Sequence, residues 1–265
     1  MVSATQSDWW RRLAGRAAQP PALPRRTLRL DGVASPVGSV ERSLGDRLRA
    51  AGLPMHLTDD DSEFVSGAPN EALAEIARWL TAHGLGARWR DELLPVCDEG
   101  GVRHAVVERA AVRPLGIATH AVHLIGLTPD GKVWVQQRAF DKATDPGQWD
   151  TLVGGLVAAQ EHDNSGALER ETWEEAGLRI GDLGPLRAVD PLTIRRPVTE
   201  GYMVEHIQVF EAVVPAGVTP ANQDGEVAAF ECLQPGELAA RLASGLFTLE
   251  ASLMLAASLR RRGLL

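Results

Sequence analysis

The chain of 265 residues holds only two cysteines, two lysines and one tyrosine. Cys97 and Cys232 stand far apart, with no CxxC or Cys/His spacing, which excludes a disulfide framework and a zinc centre and makes a reducing, cytoplasmic setting the expectation. No stretch approaches the ~20 consecutive apolar residues of a membrane-spanning helix. The formal net charge of -8 argues against a general binder of nucleic acid or of anionic membranes. Neither an internal repeat nor a Gly/Ser linker interrupts the chain. The opening segment has no apolar core of a secretory signal. Its arginines and few acids are shared with transit peptides, but the reading preferred here is a short helix capped by Ser7 or Asp8 and carrying Trp9, Trp10 and Leu13.

Hydrophobic residues make up 45% of the chain, ample for a packed core. Two regions are expected, divided near residue 112. The first reads as a small N-terminal α+β domain, residues 1–112. It has a strand over Thr27 to Leu30 turning at Asp31-Gly32, a helix over Glu41 to Ala51 closed by Gly52, and a helix in "NEALAEIARWLTAHG" with Asn70 as N-cap and Gly84 at its end. The second, residues 113–265, opens with the hairpin "HAVHLIGLTPDGKVWVQQR", followed by "WDTLVGGLV", a strand expected to break at its glycine pair. Further strands lie in "EHIQVFEAVV" and "EVAAFECL". Helices over Pro235 to Ala243 and Leu249 to Arg262 close the chain, the latter capped by Thr248. Strands on both sides of a central helix give an α/β sandwich.

That central helix carries the chemistry. Glu171, Glu174 and Glu175 occupy positions i, i+3 and i+4, which share a helix face with β-carbons about 5–6 Å apart. Three carboxylates so placed repel one another unless a cation compensates, and hard oxygen donors suit Mg²⁺ or Mn²⁺. Arg170 is placed to hold Glu174 at i,i+4, and Gly177 to end the helix. Gly154-Gly155 lets the backbone turn and approach a ligand, with the Gly155 carbonyl as a candidate metal ligand. Upstream, Arg138 and Lys142 are the cations placed to hold a diphosphate; with only two lysines in the chain, a compact ammonium at 142 suggests a specific contact. Trp149 is expected in the core and Asp150 in a turn, while His120 and His123 face opposite ways on their strand and receive no role.

These residues resemble the Nudix hydrolase signature GX5EX7REUXEEXGU, where U is bulky and apolar. Gly155, Glu161, Arg170, Glu171, Glu174, Glu175, Gly177 and Leu178 match its fixed positions. Thr172 replaces the apolar residue, and eight residues instead of seven separate Glu161 from Arg170. The resemblance implies an α/β/α sandwich, metal-dependent hydrolysis of a small-molecule diphosphate and a place for Glu161 near the metal. It also implies a further carboxylate from beyond the helix, for which Glu226, Glu205 and Glu211 are candidates. The segments around the signature, with "DGEVAAF" and "FTLEASLMLAASLRRRGLL", are similar to the Nudix portion attached to fungal thiamine pyrophosphokinases. This implies thiamine diphosphate or its oxidised oxo and oxy analogues as substrate, in a pocket walled by some of the seven tryptophans. A homodimer is a candidate assembly. ADP-ribose hydrolysis, isopentenyl-diphosphate isomerisation and a ligand-sensing module without catalysis are the alternatives; the isomerase needs a cysteine near the glycine turn, where this chain has none.

Overall fold

The computed structural model describes residues 4–161 and 163–265. Helix α1 (Ala4–Ala17) leads into an N-terminal unit of β1 (Arg25–Leu30), β2 (Gly38–Glu41), α2 (Arg42–Ala50), β3 (Met55–Leu57), β4 (Glu63–Val65) and α3 (Pro69–Ala82), followed by the hairpin β5 (Leu93–Cys97) and β6 (Arg103–Glu108). The second part runs β7 (Thr119–Leu127), β8 (Val133–Arg138), β9 (Trp149–Asp150), β10 (Val153–Leu156), α4 (Asn164–Ala176), β11 (Arg187–Ala188), β12 (Leu192–Val198), β13 (Gly201–Val213), β14 (Val227–Leu233), α5 (Pro235–Ala243) and α6 (Leu249–Arg261).

The N-terminal unit is a four-stranded sheet, β2-β1-β4-β3, whose core continues into Leu115 and Ile117. The second sheet is mixed, with the path β11-β13-β7-β8-β14 and β10, β12 and β9 joined to β7, β13 and β8. Its spine is the parallel pair of β7 and β13, registered from Thr119↔Glu205 to Leu127↔Val213. Alternation along β7 decides the layers, because successive side chains point to opposite faces. Val122 and Leu124 join the core beneath α4, whereas Ala121 and Ile125 join the core beneath α5 and α6. Helices therefore cover both faces. The α/β/α sandwich expected from sequence is the observed architecture.

Three local expectations fail for identifiable reasons. Helix α1 begins at Ala4, so Ser7 and Asp8 lie inside it rather than capping it. It also packs on the second half rather than the first: Trp9, Trp10 and Leu13 meet the core beneath α6, and the Gln19 N–H donates to the Arg195 carbonyl at 2.7 Å. Helix α3 starts with Pro69 in its first turn and Ala68 as N-cap; Asn70 instead accepts from the Val106 N–H at 2.8 Å, tying the helix to β6. Finally, β10 runs straight through Gly154 and Gly155, paired with His123 and Val122, and neither glycine adopts positive φ. The glycines serve close approach, not a turn. A β-carbon on Gly154 would lie 2.4 Å from the His123 ring, and one on Gly155 1.9 Å from the carboxyl carbon of Glu171.

Candidate active site

Helix α4 is set by its caps. Asp163, from the polar loop before the helix, accepts from the Ser165 and Gly166 N–H groups at 2.9 and 3.1 Å, satisfying donors that the first turn leaves free. The extra residue of the signature is thus absorbed before the helix begins; His162 lies outside the described residues. At the other end Gly177 takes a left-handed conformation, φ 63°, and closes the helix. Thr172, in the apolar position of the signature, is fully buried, and its hydroxyl has no partner among the described residues.

The three glutamates meet different surroundings. Glu175 is 1% exposed, and one of its oxygens accepts from the Gln136 side chain at 2.9 Å and from the Gly154 N–H at 2.8 Å. Glu171 lies flat on β10 in the space left by Gly155. Glu174 stands at the rim, 41% exposed. Arg170 ties the group together: it donates to Glu161 at 2.8 Å, Glu171 at 2.7 Å, Glu174 at 2.9 Å and the Leu156 carbonyl at 3.1 Å. Glu161 is accordingly engaged on both oxygens, by Arg170 and by the Ala158 N–H at 2.6 Å. Arg170→Ala is expected to lower kcat/KM about 10–100-fold, the usual effect of losing a group that orients ligands. Steady-state kinetics at saturating metal would check this, and wild-type values would remove Arg170 from the site.

Burial pushes Glu171 up to about 7 against the pull of Arg170, with Glu174 and Glu226 raising it further. Glu175 is pushed up to about 8, by burial first and then by Glu171. Carboxylates raised in this way demand a proton or a metal cation. Among the described residues no three metal-ligating side chains already form a closed cluster. The donor set nonetheless fits a hard cation: Glu171, Glu174, Glu175 and Glu226 each keep one oxygen free of protein hydrogen bonds among the described residues.

A cavity of about 300 Å³ opens beside this group, between the N-terminal unit and the second sheet. Lys142 lines it, paired with Glu226 and with its ammonium 4.0 Å from Glu175. Arg138 lines it too, bound to the Thr144 carbonyl at 3.1 Å and 3.4 Å from Asp150. Asp150 is a buried strand residue, not a turn residue, and Trp149 packs in the core as expected. None of the seven tryptophans lines the cavity. Its walls include Arg88, Arg90 and Arg109 from the N-terminal unit, whereas Tyr202 points away and donates to the Gln19 carbonyl.

Of the three downstream carboxylates, Glu226 and Glu205 reach the cavity and Glu211 does not. Along β13 every second residue is buried, and Glu205 and Glu211 share that face about 20 Å apart at ~3.3 Å per residue. Glu211 is held by Ser258, Arg261 and Arg187 at the far end of α6. Sequence reasoning gave no role to His123 or Asp150 and missed Glu250, Arg113 and Arg196, all of which line the cavity. His123 bonds to the Thr151 hydroxyl at 2.8 Å, and burial lowers its pKa, keeping the ring neutral. Glu250 had a readable signal: a lone acid in a helix whose neighbours from Leu249 to Ala256 are all buried.

The NUDIX domain profile matches residues 118–251, half of the chain. The chain belongs to the Nudix family. Nudix hydrolase 20, chloroplastic, of Arabidopsis thaliana is 31% identical over 183 residues, covering 63% of this chain and 46% of that protein. The isopentenyl-diphosphate Delta-isomerase of Streptomyces coelicolor is 29% identical over 160 residues, 59% of this chain and 78% of that one. A solved structure, DR0079 from Deinococcus radiodurans, shares 25% identity over 59% of this chain and 92% of its own, with a TM-score of 0.49. The chain spans about half the length of the first two curated Nudix relatives it matches, 46% and 47%. No helix among the described residues is long and apolar enough to cross a membrane.

Proposed function

We propose that the cavity binds a small-molecule diphosphate and hydrolyses it with Mg²⁺ or Mn²⁺ held by Glu171, Glu174 and Glu175. The observation that carries this reading is the set of free carboxylate oxygens beside a cavity that also holds Lys142 and Arg138. Glu226 and the Gly155 carbonyl are the further candidate ligands. A bound cation of this kind polarises a phosphoryl group and lowers the pKa of a coordinated water. The chain's own residues do the rest. Arg170 fixes Glu171 and Glu174, with Glu161 acting through it. Gln136 and the Gly154 N–H orient Glu175, and Lys142 with Arg138 balances phosphate charge.

For the substrate we infer a diphosphate of thiamine type, thiamine diphosphate or its oxo or oxy analogue, cleaved to the monophosphate and phosphate. The support is the resemblance of the segments flanking the signature, together with a cavity polar at both ends. An apolar pocket would favour the neutral, oxidised ring on desolvation grounds; Asp150, Glu205 and Glu250 remove that argument, because carboxylates also accommodate an intact thiazolium cation. Isopentenyl-diphosphate isomerisation is disfavoured because Cys97 and Cys232 lie outside the cavity lining. ADP-ribose is the second reading. The test is kcat/KM for phosphate or monophosphate release from thiamine diphosphate, its oxo and oxy analogues, ADP-ribose and isopentenyl diphosphate, with and without Mg²⁺. A clear preference for ADP-ribose, or isomerisation without phosphate release, would overturn the substrate assignment.

Metal binding should depend on pH. Glu171 and Glu175 hold protons up to about 7 and about 8 in the metal-free protein, so a cation must displace them. Mg²⁺ affinity is expected to rise between pH 6 and pH 8.5, with proton release that scales with buffer ionisation enthalpy in calorimetry. Flat affinity without proton release would place the metal elsewhere.

A further inference from the structure

The cavity has a second pole that the phosphate chemistry leaves unused. Because Gly154 and Gly155 point to opposite faces of β10, the Glu171 side lies toward α4 and the His123 side toward α6. On the α6 side the lining includes Glu205, Glu250, Arg113 and Arg196. Glu205 uses one oxygen for the Arg113 guanidinium at 3.0 Å and the Thr119 hydroxyl at 2.9 Å. Glu250 is only 8% exposed, and its Oε1 has no hydrogen-bond partner among the described residues. The nearest cation, Arg196, stops 3.7 Å from that oxygen, beyond hydrogen-bond reach, and the Arg196 Nε is likewise unpaired. Native proteins seldom leave a buried carboxylate oxygen unsatisfied; Oε1 is itself closed to solvent, and Glu250 lines the cavity, so a ligand donor satisfies it once the carboxyl turns into that space.

We propose that Glu250, with Glu205 beside it, receives the head group of the substrate, and that this head is a nitrogen heterocycle presenting N–H donors to the Glu250 carboxyl. The inference rests on reading the same cavity as the diphosphate site. A prenyl head has no donor and would bury Glu250 uncompensated; a second phosphate would set like charge against Glu205. A flat heterocyclic edge with an amino group, or with a lactam N–H, meets a carboxyl group through two bonds. Burial, with Glu205 and Asp150 adding to it, holds the Glu250 pKa up at about 7, despite its place in the first turn of α6. The carboxyl therefore keeps a proton over much of the neutral range, able to donate to a ring nitrogen while accepting from the neighbouring N–H.

The test uses the full chain in EDTA and phosphate-free heads, so that neither metal nor hydrolysis enters the reading. Thiamine supplies the amino edge, its oxy analogue the lactam edge on the same thiazolium, and isopentenol neither. Calorimetry on the wild type is expected to show binding of the heterocycles and none of isopentenol, with the stronger of the two identifying the source of the N–H. Glu250→Leu should weaken heterocycle binding at least tenfold, whereas Glu250→Gln, which keeps an acceptor without charge, should stay within threefold. A Tm for Glu250→Leu at or above wild type separates a ligand role from a structural one, and Glu250→Ala replaces it should leucine overfill the site. Failure of the wild type to bind either heterocycle, binding unmoved by the leucine and alanine variants, or equal losses in the leucine and glutamine variants would overturn the inference. Retained head binding without Mg²⁺-dependent phosphate release would instead count against the proposed hydrolysis.

Discussion

Glu175→Gln is expected to lower kcat/KM by about 10³-fold or more, the scale of several kcal/mol of charge stabilisation at a metal-assisted phosphoryl transfer. The amide keeps the size of the side chain and can still accept from Gln136 and the Gly154 N–H, so the fold should be preserved. Its effect on stability has a definite sign. Burial raises the Glu175 pKa to about 8, so in the metal-free protein this group favours folding at low pH and loses that contribution as pH rises through 8. In EDTA the variant should therefore melt no lower than wild type at pH 6 and gain on it by pH 9. Thermal melts at both pH values, beside kinetics at saturating Mg²⁺, check the two halves of this result. Near wild-type turnover would remove Glu175 from the metal site.

Gly155→Ala should be nearly as damaging, for a steric reason. The added β-carbon would fall 1.9 Å from the Glu171 carboxyl carbon and 2.5 Å from its γ-carbon, so Glu171 must leave its place on β10. Displacing a ligand by about 1 Å is enough for a loss on the order of 10²-fold, while the overpacking itself costs about 1–3 kcal/mol of stability. The atoms met belong to the flexible Glu171 side chain rather than to backbone, so a folded but slow enzyme is expected. Steady-state kinetics with a urea melt would show whether activity falls further than stability explains. An alanine variant with unchanged kcat/KM would mean that the position of Glu171 on the strand is irrelevant to the chemistry.

The central helix was legible because its information is local: the carboxylate spacing and the terminating glycine lie within a few turns of one another. Pro235–Ala243 and the Thr248-capped helix were readable for the same reason. The glycine pair was misread because glycine is usually taken as a sign of a turn, whereas here the requirement comes from two side chains, His123 and Glu171, that only the folded sheet brings over it. The head-group end of the cavity was illegible from spacing because it is assembled from β7, β9, β13 and α6, whose residues share no local pattern. Glu205 and Glu211 show the limit plainly. They stand on one strand face with the same alternation, yet only the neighbours supplied by tertiary structure, Arg113 for one and Ser258 with Arg261 for the other, decide which reaches the site.

The N-terminal region also takes a more specific form than composition allowed. Arg88, Arg90 and Arg109 line the cavity, and the core of the N-terminal unit runs on through Leu115 and Ile117. We propose that this unit forms one wall of the substrate site, with the boundary near residue 112 marking a change of sheet rather than a separable piece. Helix α1 belongs to the opposite layer, against α6.

The proposed hydrolysis depends on a divalent cation held by the glutamate helix. Crystals of the full chain soaked in Mn²⁺ and measured at the manganese edge test this directly. Anomalous density within coordination distance of Glu171, Glu174 and Glu175 is the predicted result; density only at other carboxylates, or bound Mn²⁺ with Arg170 still seated between Glu171 and Glu174 and no metal beside them, would contradict it.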